Sequence, residues 1–184
     1  AALIAANFPD CRISMLRRFQ AEIPGMEYAV NVAAIDERML EVRQWDLIKG
    51  RFIDLRDMRA CERNAVITAA MSNLRGWEIG QVVSIKNEPF TIVGIISHGS
   101  EALETEGADS LLSVAEKTVF VPLTASKLWL NPNQVDYYNI DTIFVRVPEK
   151  ADFRSTLLST QRVLTGPYER ADRFSWVTPE ALLR

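Results

Sequence analysis

His98 is the only histidine in the chain, so any Ser/His/Asp or Cys/His arrangement would have to use it. It stands in Ser97-His98-Gly99-Ser100, at the end of an apolar run, where a small hydrolase could place a base beside Ser97 or Ser100. No nucleophile elbow accompanies it, and a lone loop histidine reads as polar surface. Downstream, Glu101, Glu104, Glu106 and Asp109 could in principle hold a hard cation. The EF-hand spacing is absent and no Cys/His cluster offers a zinc or iron site, so the segment reads as a solvated acidic loop with no metal. The eight glycines are dispersed and form neither a dinucleotide fingerprint nor a phosphate loop, so no nucleotide or other cofactor is expected. Trp129, Leu130, Tyr137 and Tyr138 flank a polar loop around Asn131-Pro132. They are candidate partner contacts, or else a satellite core packed under the loop.

Composition narrows the class further. A chain of 184 residues with 48% hydrophobic and 24% charged content can bury a proper core and is not a disordered segment. Its net charge of -3 supplies no basic footprint for nucleic acid. No apolar run approaches the roughly 20 residues that span a bilayer, and AALIAA at the start lacks the flanks of a signal peptide. The missing initiator Met and an apparent helix running into Arg184 suggest a piece of a longer polypeptide. Cys11 and Cys61 are too few for a disulfide scaffold. With Cys11 on an expected helix and Cys61 in a charged loop, they read as unrelated thiols.

The elements that must position these residues follow from spacing. A strand is expected over 3–8, then a helix begun by Pro9-Asp10 with Ile13, Leu16, Phe19 and Ile23 at near-helical intervals. A strand follows over 26–34. Asp54 caps a single helical turn. Ala65-Val66-Ile67 is a short buried strand, Thr68 caps a helix to about Leu74, and Gly76 closes it. Residues 81–86 and 90–96 form a hairpin connected at Asn87-Glu88, the second strand buried on both faces. Strand 118–121 leads to a short helix capped by Thr124 and ending at Trp129. Residues 140–147 alternate as a strand. Asp152 caps a helix with Phe153, Leu157, Leu158, Val163 and Leu164 on its apolar side and Gly166 at its end. A last strand over 174–177 precedes a helix start at Thr178-Pro179-Glu180.

Several stretches in fixed order carry a resemblance: Gly50-Arg51-Phe52-Ile53, the acidic DLRD from Asp54, NAVI from Asn64, the helix-forming TAAMSNLRG, GQVVSI from Gly80, PFTIVGI from Pro89, and Val121-Pro122-Leu123. With "IPGM" from Ile23, this series resembles the periplasmic core domain of MacB-like ABC transporter permeases, in which each piece has a counterpart in the same order. The resemblance implies one extracytoplasmic domain over 1–184, of α+β class, in two lobes. A porter-like βαβ lobe comes from both chain ends, about 1–48 plus 137–184, and a smaller strand-rich subdomain is inserted over about 49–136. It also implies transmembrane helices before Ala1 and after Arg184, a location at the cell inner membrane facing the periplasm or exterior, and ATP hydrolysis by a separate nucleotide-binding domain. The domain itself would be no enzyme. It would transmit ATP-driven conformational change during export and dock partners: an ABC ATPase, a second permease copy, and a periplasmic adaptor (membrane fusion) protein. An FtsX-like domain regulating a cell-wall enzyme shares the general topology and is the alternative.

Overall fold

A computed structural model of the chain describes residues 6–97, 118–129 and 140–165. In chain order the elements are β1 (Arg12–Ala21), β2 (Val30–Ile35), α1 (Met39–Arg43), β3 (Asp46–Gly50), α2 (Leu55–Ala60), β4 (Asn64–Thr68), α3 (Ala69–Arg75), β5 (Val82–Ile85), β6 (Glu88–Ser97), β7 (Thr118–Pro122), a 3-10 helix (Leu123–Trp129), β8 (Thr142–Arg146) and α4 (Phe153–Thr165). The strands form one eight-stranded mixed sheet in the order β3-β6-β4-β7-β2-β1-β8, with β5 also paired to β6. Mixed strands with helices make the α+β class expected from the sequence. Strands from both chain regions, β2, β1 and β8 on one side and β3 to β6 on the other, meet at β7, which pairs with β2 in parallel and with β4 antiparallel.

Alternation along the central strands sends neighbouring residues to opposite faces, and two apolar clusters result. One gathers Val32, Ala34, Ala65, Ile67, Phe90, Ile92, Ile95 and Val119 with Met71 of α3 and Ala125 of the 3-10 helix. The other gathers Leu16, Ala33, Ile35, Val66, Ile96 and Phe120 with Met39 of α1 and Trp45. β6 contributes to both, as expected for a strand buried on its two sides.

Residues 12–21 are a strand, not the helix that their spacing suggested. The register pairs Leu16 with Ile35 and Phe19 with Val32, and these belong to different clusters. An interval of three therefore alternated between the two faces of a strand buried on both, which imitates a helical period. Cys11 accordingly lies in a bend before β1 and Cys61 at the end of α2, both as free thiols. Ala6 and Asn7 are helical where a strand was expected over 3–8, whose first residues lie outside the described ones.

Local signals held where chemistry rather than period carried them. Asp54 accepts from the amides of Arg56 and Asp57, Thr68 accepts from that of Met71 at 3.1 Å, and Asp152 accepts from that of Arg154 at 3.2 Å. Gly76 closes α3 at a φ of 65°. The hairpin turns at Lys86-Asn87, one residue earlier than expected, both at positive φ. Thr124 sits inside the 3-10 helix and leaves its hydroxyl without a partner among the described residues, so it is no cap. In α4, Leu158 is 51% exposed and Thr160 buried, because Leu157 and Leu158, being adjacent, cannot share a face. The expected features at Gly166, 174–177 and 178–180 lie outside the described residues.

Candidate functional site

Three places could do mechanical or binding work, and each is held by contacts between elements distant in the chain. The first is the corner where the chain enters β1 and leaves β8. The two strands are antiparallel and Arg12 faces Arg146 across the ladder, with Ile13 opposite Val145 and Ser14 opposite Phe144. Two like charges side by side would repel. Glu41 of α1 relieves this: its carboxylate lies 3.2 Å from Arg12 Nε, and its carbonyl accepts from Arg146 Nη1 at 3.0 Å. Behind the corner, buried Ser14 donates to Asp36 at 2.6 Å, and Asp36 also accepts from the Met15 amide at 2.9 Å. The path into the sheet is thus held by polar contacts as well as packing.

The second is a charged hub at the inner end of β3. Gly50 at a φ of 78° and Gly94 on β6 lie opposite each other. A side chain at Gly94 would run into the Arg51 carbonyl, so only glycine lets the chain close onto β6, where the Arg51 amide donates to Val93 at 2.9 Å. That approach aims the Arg51 guanidinium at Asp57, with bonds of 2.6 and 2.9 Å. Asn64 of β4 donates to the same carboxylate at 2.8 Å, and the Asp54 amide at 3.1 Å. Burial pushes the Asp57 carboxyl up, but the bonds from Arg51, Asn64 and Asp54 outweigh it and hold the group below its ordinary value. Hydrogen bonding to Asp57 in turn raises the Arg51 guanidinium. The hub joins β3, α2 and β4 and has no unsatisfied or poised group that would serve catalysis. The reciprocal Asp54/Asp57 capping box was half legible: Asp54 as a cap, but not Asp57 as the anion that Arg51 seeks.

The third is the aromatic column at Trp129. Its ring lies 4.8 Å from that of Phe19 on β1 and 5.4 Å from that of Phe90 on β6, while Lys86 Nζ sits 4.8 Å from the Phe19 centroid. Trp129 is half-buried against the first cluster and bridges strands from the two regions of the chain. Leu130, Tyr137 and Tyr138 lie outside the described residues, as do His98, Ser100, Glu101, Glu104, Glu106 and Asp109. Ser97 ends β6, paired with Asp46. Among the described residues no group of three His, Cys, Asp or Glu could hold a metal ion, and no helix is long and apolar enough to cross a membrane.

The family model described as the MacB-like periplasmic core domain matches residues 2–157. The chain belongs to this family. MacB-like core domains are the periplasmic or extracellular parts of ABC transporter permeases, and the fold agrees with that membership. The structure is similar to the periplasmic region of MacB from Actinobacillus actinomycetemcomitans, with a TM-score of 0.65 at 14% identity over 87% of this chain and 68% of that one. It is also similar to the extracellular domain of the noncanonic ABC-type transporter YknZ from Gram-positive bacteria, with a TM-score of 0.66 at 14% identity over 91% of this chain and 83% of that one. Comparison with curated proteins finds no match. The sequence series from Gly50 to Leu123 that resembled the family thus spans β3 to the start of the 3-10 helix of this MacB-like domain.

Proposed function

We propose that this MacB-like domain is a non-catalytic lever of an ABC transporter permease. It passes ATP-driven movement of the membrane helices to its extracytoplasmic surfaces during export. The observation that carries the proposal is the placement of Arg12 opposite Arg146: the first and last described strands of the chain, β1 and β8, lie side by side, so the start of one is next to the end of the other. Membrane anchors joined to the chain before β1 and beyond α4 would both act on this one antiparallel pair, which is continuous with the rest of the sheet. In this reading the porter-like lobe, about 1–48 plus 137–184, follows the anchors, and the inserted part, about 49–136, presents the far surface. ATP hydrolysis belongs to a separate subunit or domain. A second permease copy and a periplasmic adaptor are the partners, with Trp129, Leu130, Tyr137 and Tyr138 as the proposed contacts.

The test uses the intact permease reconstituted with its ATPase. A flexible Gly/Ser insertion after Pro148 lets the anchor move without moving the sheet. The expected result is ATP hydrolysis that persists while ATP-driven transport falls to background. Wild-type transport in the insertion variant overturns the lever.

A further inference from the structure

The two ends of the sheet differ. At the β8 end, all five residues are partly covered. At the other end, all five residues of β3 are exposed, and among the described residues β3 pairs only with β6. Among the described residues its outer row of amides and carbonyls has no partner strand and offers a template for one. Leu47 is 41% and Ile48 56% exposed, with Ile79 and Val82 at 36% and 62%. Ile79 reaches Gly50 at the end of β3, so these four apolar side chains lie along one border of the sheet. Asp46 and Lys49 frame them and have no ion-pair partner among the described residues.

The order Asp46-Leu47-Ile48-Lys49 is its own complement when reversed. Laid antiparallel on a second copy, Asp46 meets Lys49, Leu47 meets Ile48, and the same two contacts recur across the two-fold axis. The bulge in β3 makes this geometry consistent. Asp46 pairs with Ser97 and Lys49 with Ile95, two positions on the same face of β6, so the bulge returns both charges to one face although they are three residues apart. On an edge strand a lysine usually blocks pairing by repulsion, and a bulge by twisting the edge away. Here the aspartate at the mirror position turns that repulsion into attraction.

We infer that the β3 edge is a self-association surface, on which two copies of this chain join their sheets through antiparallel β3 strands with Asp46 opposite Lys49 of the second copy. The inference deepens the proposed pairing of permease copies by naming the surface. Its test reads self-association alone and can fail while the lever stands. Two short strands bind weakly, and tethering of two permeases in one membrane supplies the effective concentration that makes such a contact count.

Sedimentation velocity on the 184-residue chain, from micromolar to about millimolar, is expected to show concentration-dependent dimer. Asp46→Lys sets lysines against each other at both ends and is expected to raise the dissociation constant about ten-fold or more. The swap Asp46→Lys with Lys49→Asp restores the complement with its polarity reversed and is expected to recover the wild-type constant. Both side chains are exposed, so circular dichroism should be unchanged in each variant. Amide exchange over 46–49 is expected to slow with concentration in the wild type and in the swap only. A chain that stays monomeric throughout, an Asp46→Lys variant that dimerises normally, or a swap that fails to recover overturns the inference. So does loss of adaptor capture by an Asp46→Lys permease whose isolated chain is monomeric, since that assigns the edge to another occupant.

Discussion

Replacing Asp57 by Asn removes one negative charge and one acceptor from a carboxylate that serves four donors: two from Arg51, one from Asn64 and one from the Asp54 amide. The amide that replaces it has a single oxygen to accept with, and its own N–H groups face donors. Breaking a fully buried ion pair costs about 3–5 kcal/mol. The Arg51 side chain is 45% exposed while that of Asp57 is 1% exposed, so water re-solvates the freed guanidinium and the expected loss is about 2–3 kcal/mol. For a chain of this size that is a fall in Tm of about 4–12 °C. The pH dependence separates electrostatics from shape. Because the folded state holds Asp57 below its ordinary value of 3.8, this stabilisation is present above that value and is lost as pH falls through the lower, folded one. Urea melts of wild type and Asp57→Asn should thus differ by a constant amount from about pH 7 to about pH 5. The gap should then narrow below pH 3.8. A gap of the same size at every pH refutes the charge-based role of the hub and leaves only packing.

Trp129→Ala removes a half-buried ring that touches Phe19 and Phe90 and should cost about 2–4 kcal/mol in urea melts; Tyr138→Ala, at a proposed partner contact, should weaken adaptor capture by the intact permease in a pull-down. Gly94→Ala places a methyl against the Arg51 carbonyl and should cost about 2–3 kcal/mol by thermal melting, whereas Gly76→Ala, with open space around it, pays only for its φ of 65°, about 1 kcal/mol. Thiol titration should count two free groups per chain without reductant; Cys61 should react first, because burial and the neighbouring Asp10 push the Cys11 thiol up.

The block from Asn64 to Ile96 was legible because each of its signals is local: a cap hydroxyl, a closing glycine, a proline near the start of a returning strand. β1 was not, because two-sided burial replaces alternation with a run whose spacing imitates a helix. The β7 pairings were equally invisible. A strand that joins β2 to β4 owes its place to partners more than 50 residues away on one side and more than 80 on the other, and no pattern within Thr118–Pro122 encodes them. In the hub, Asp54 was recognisable as a cap, but the Arg51–Asp57–Asn64 triangle depends on a close approach of Gly50 to Gly94 that only the paired strands reveal. The ordered motif series reached the family without any of this, because it compares whole successions of elements rather than single spacings.

The lever is tested most directly by distances measured with pairs of spin labels in the reconstituted permease, with Cys11 and Cys61 replaced by Ser. One pair sits within a copy, at Glu22 and Glu78, and one pair joins Glu78 of two copies. We predict that the distance within a copy stays fixed through the ATP cycle while the distance between copies changes with nucleotide. A changing distance within the copy, or an unmoving distance between copies during active transport, contradicts a rigid lever.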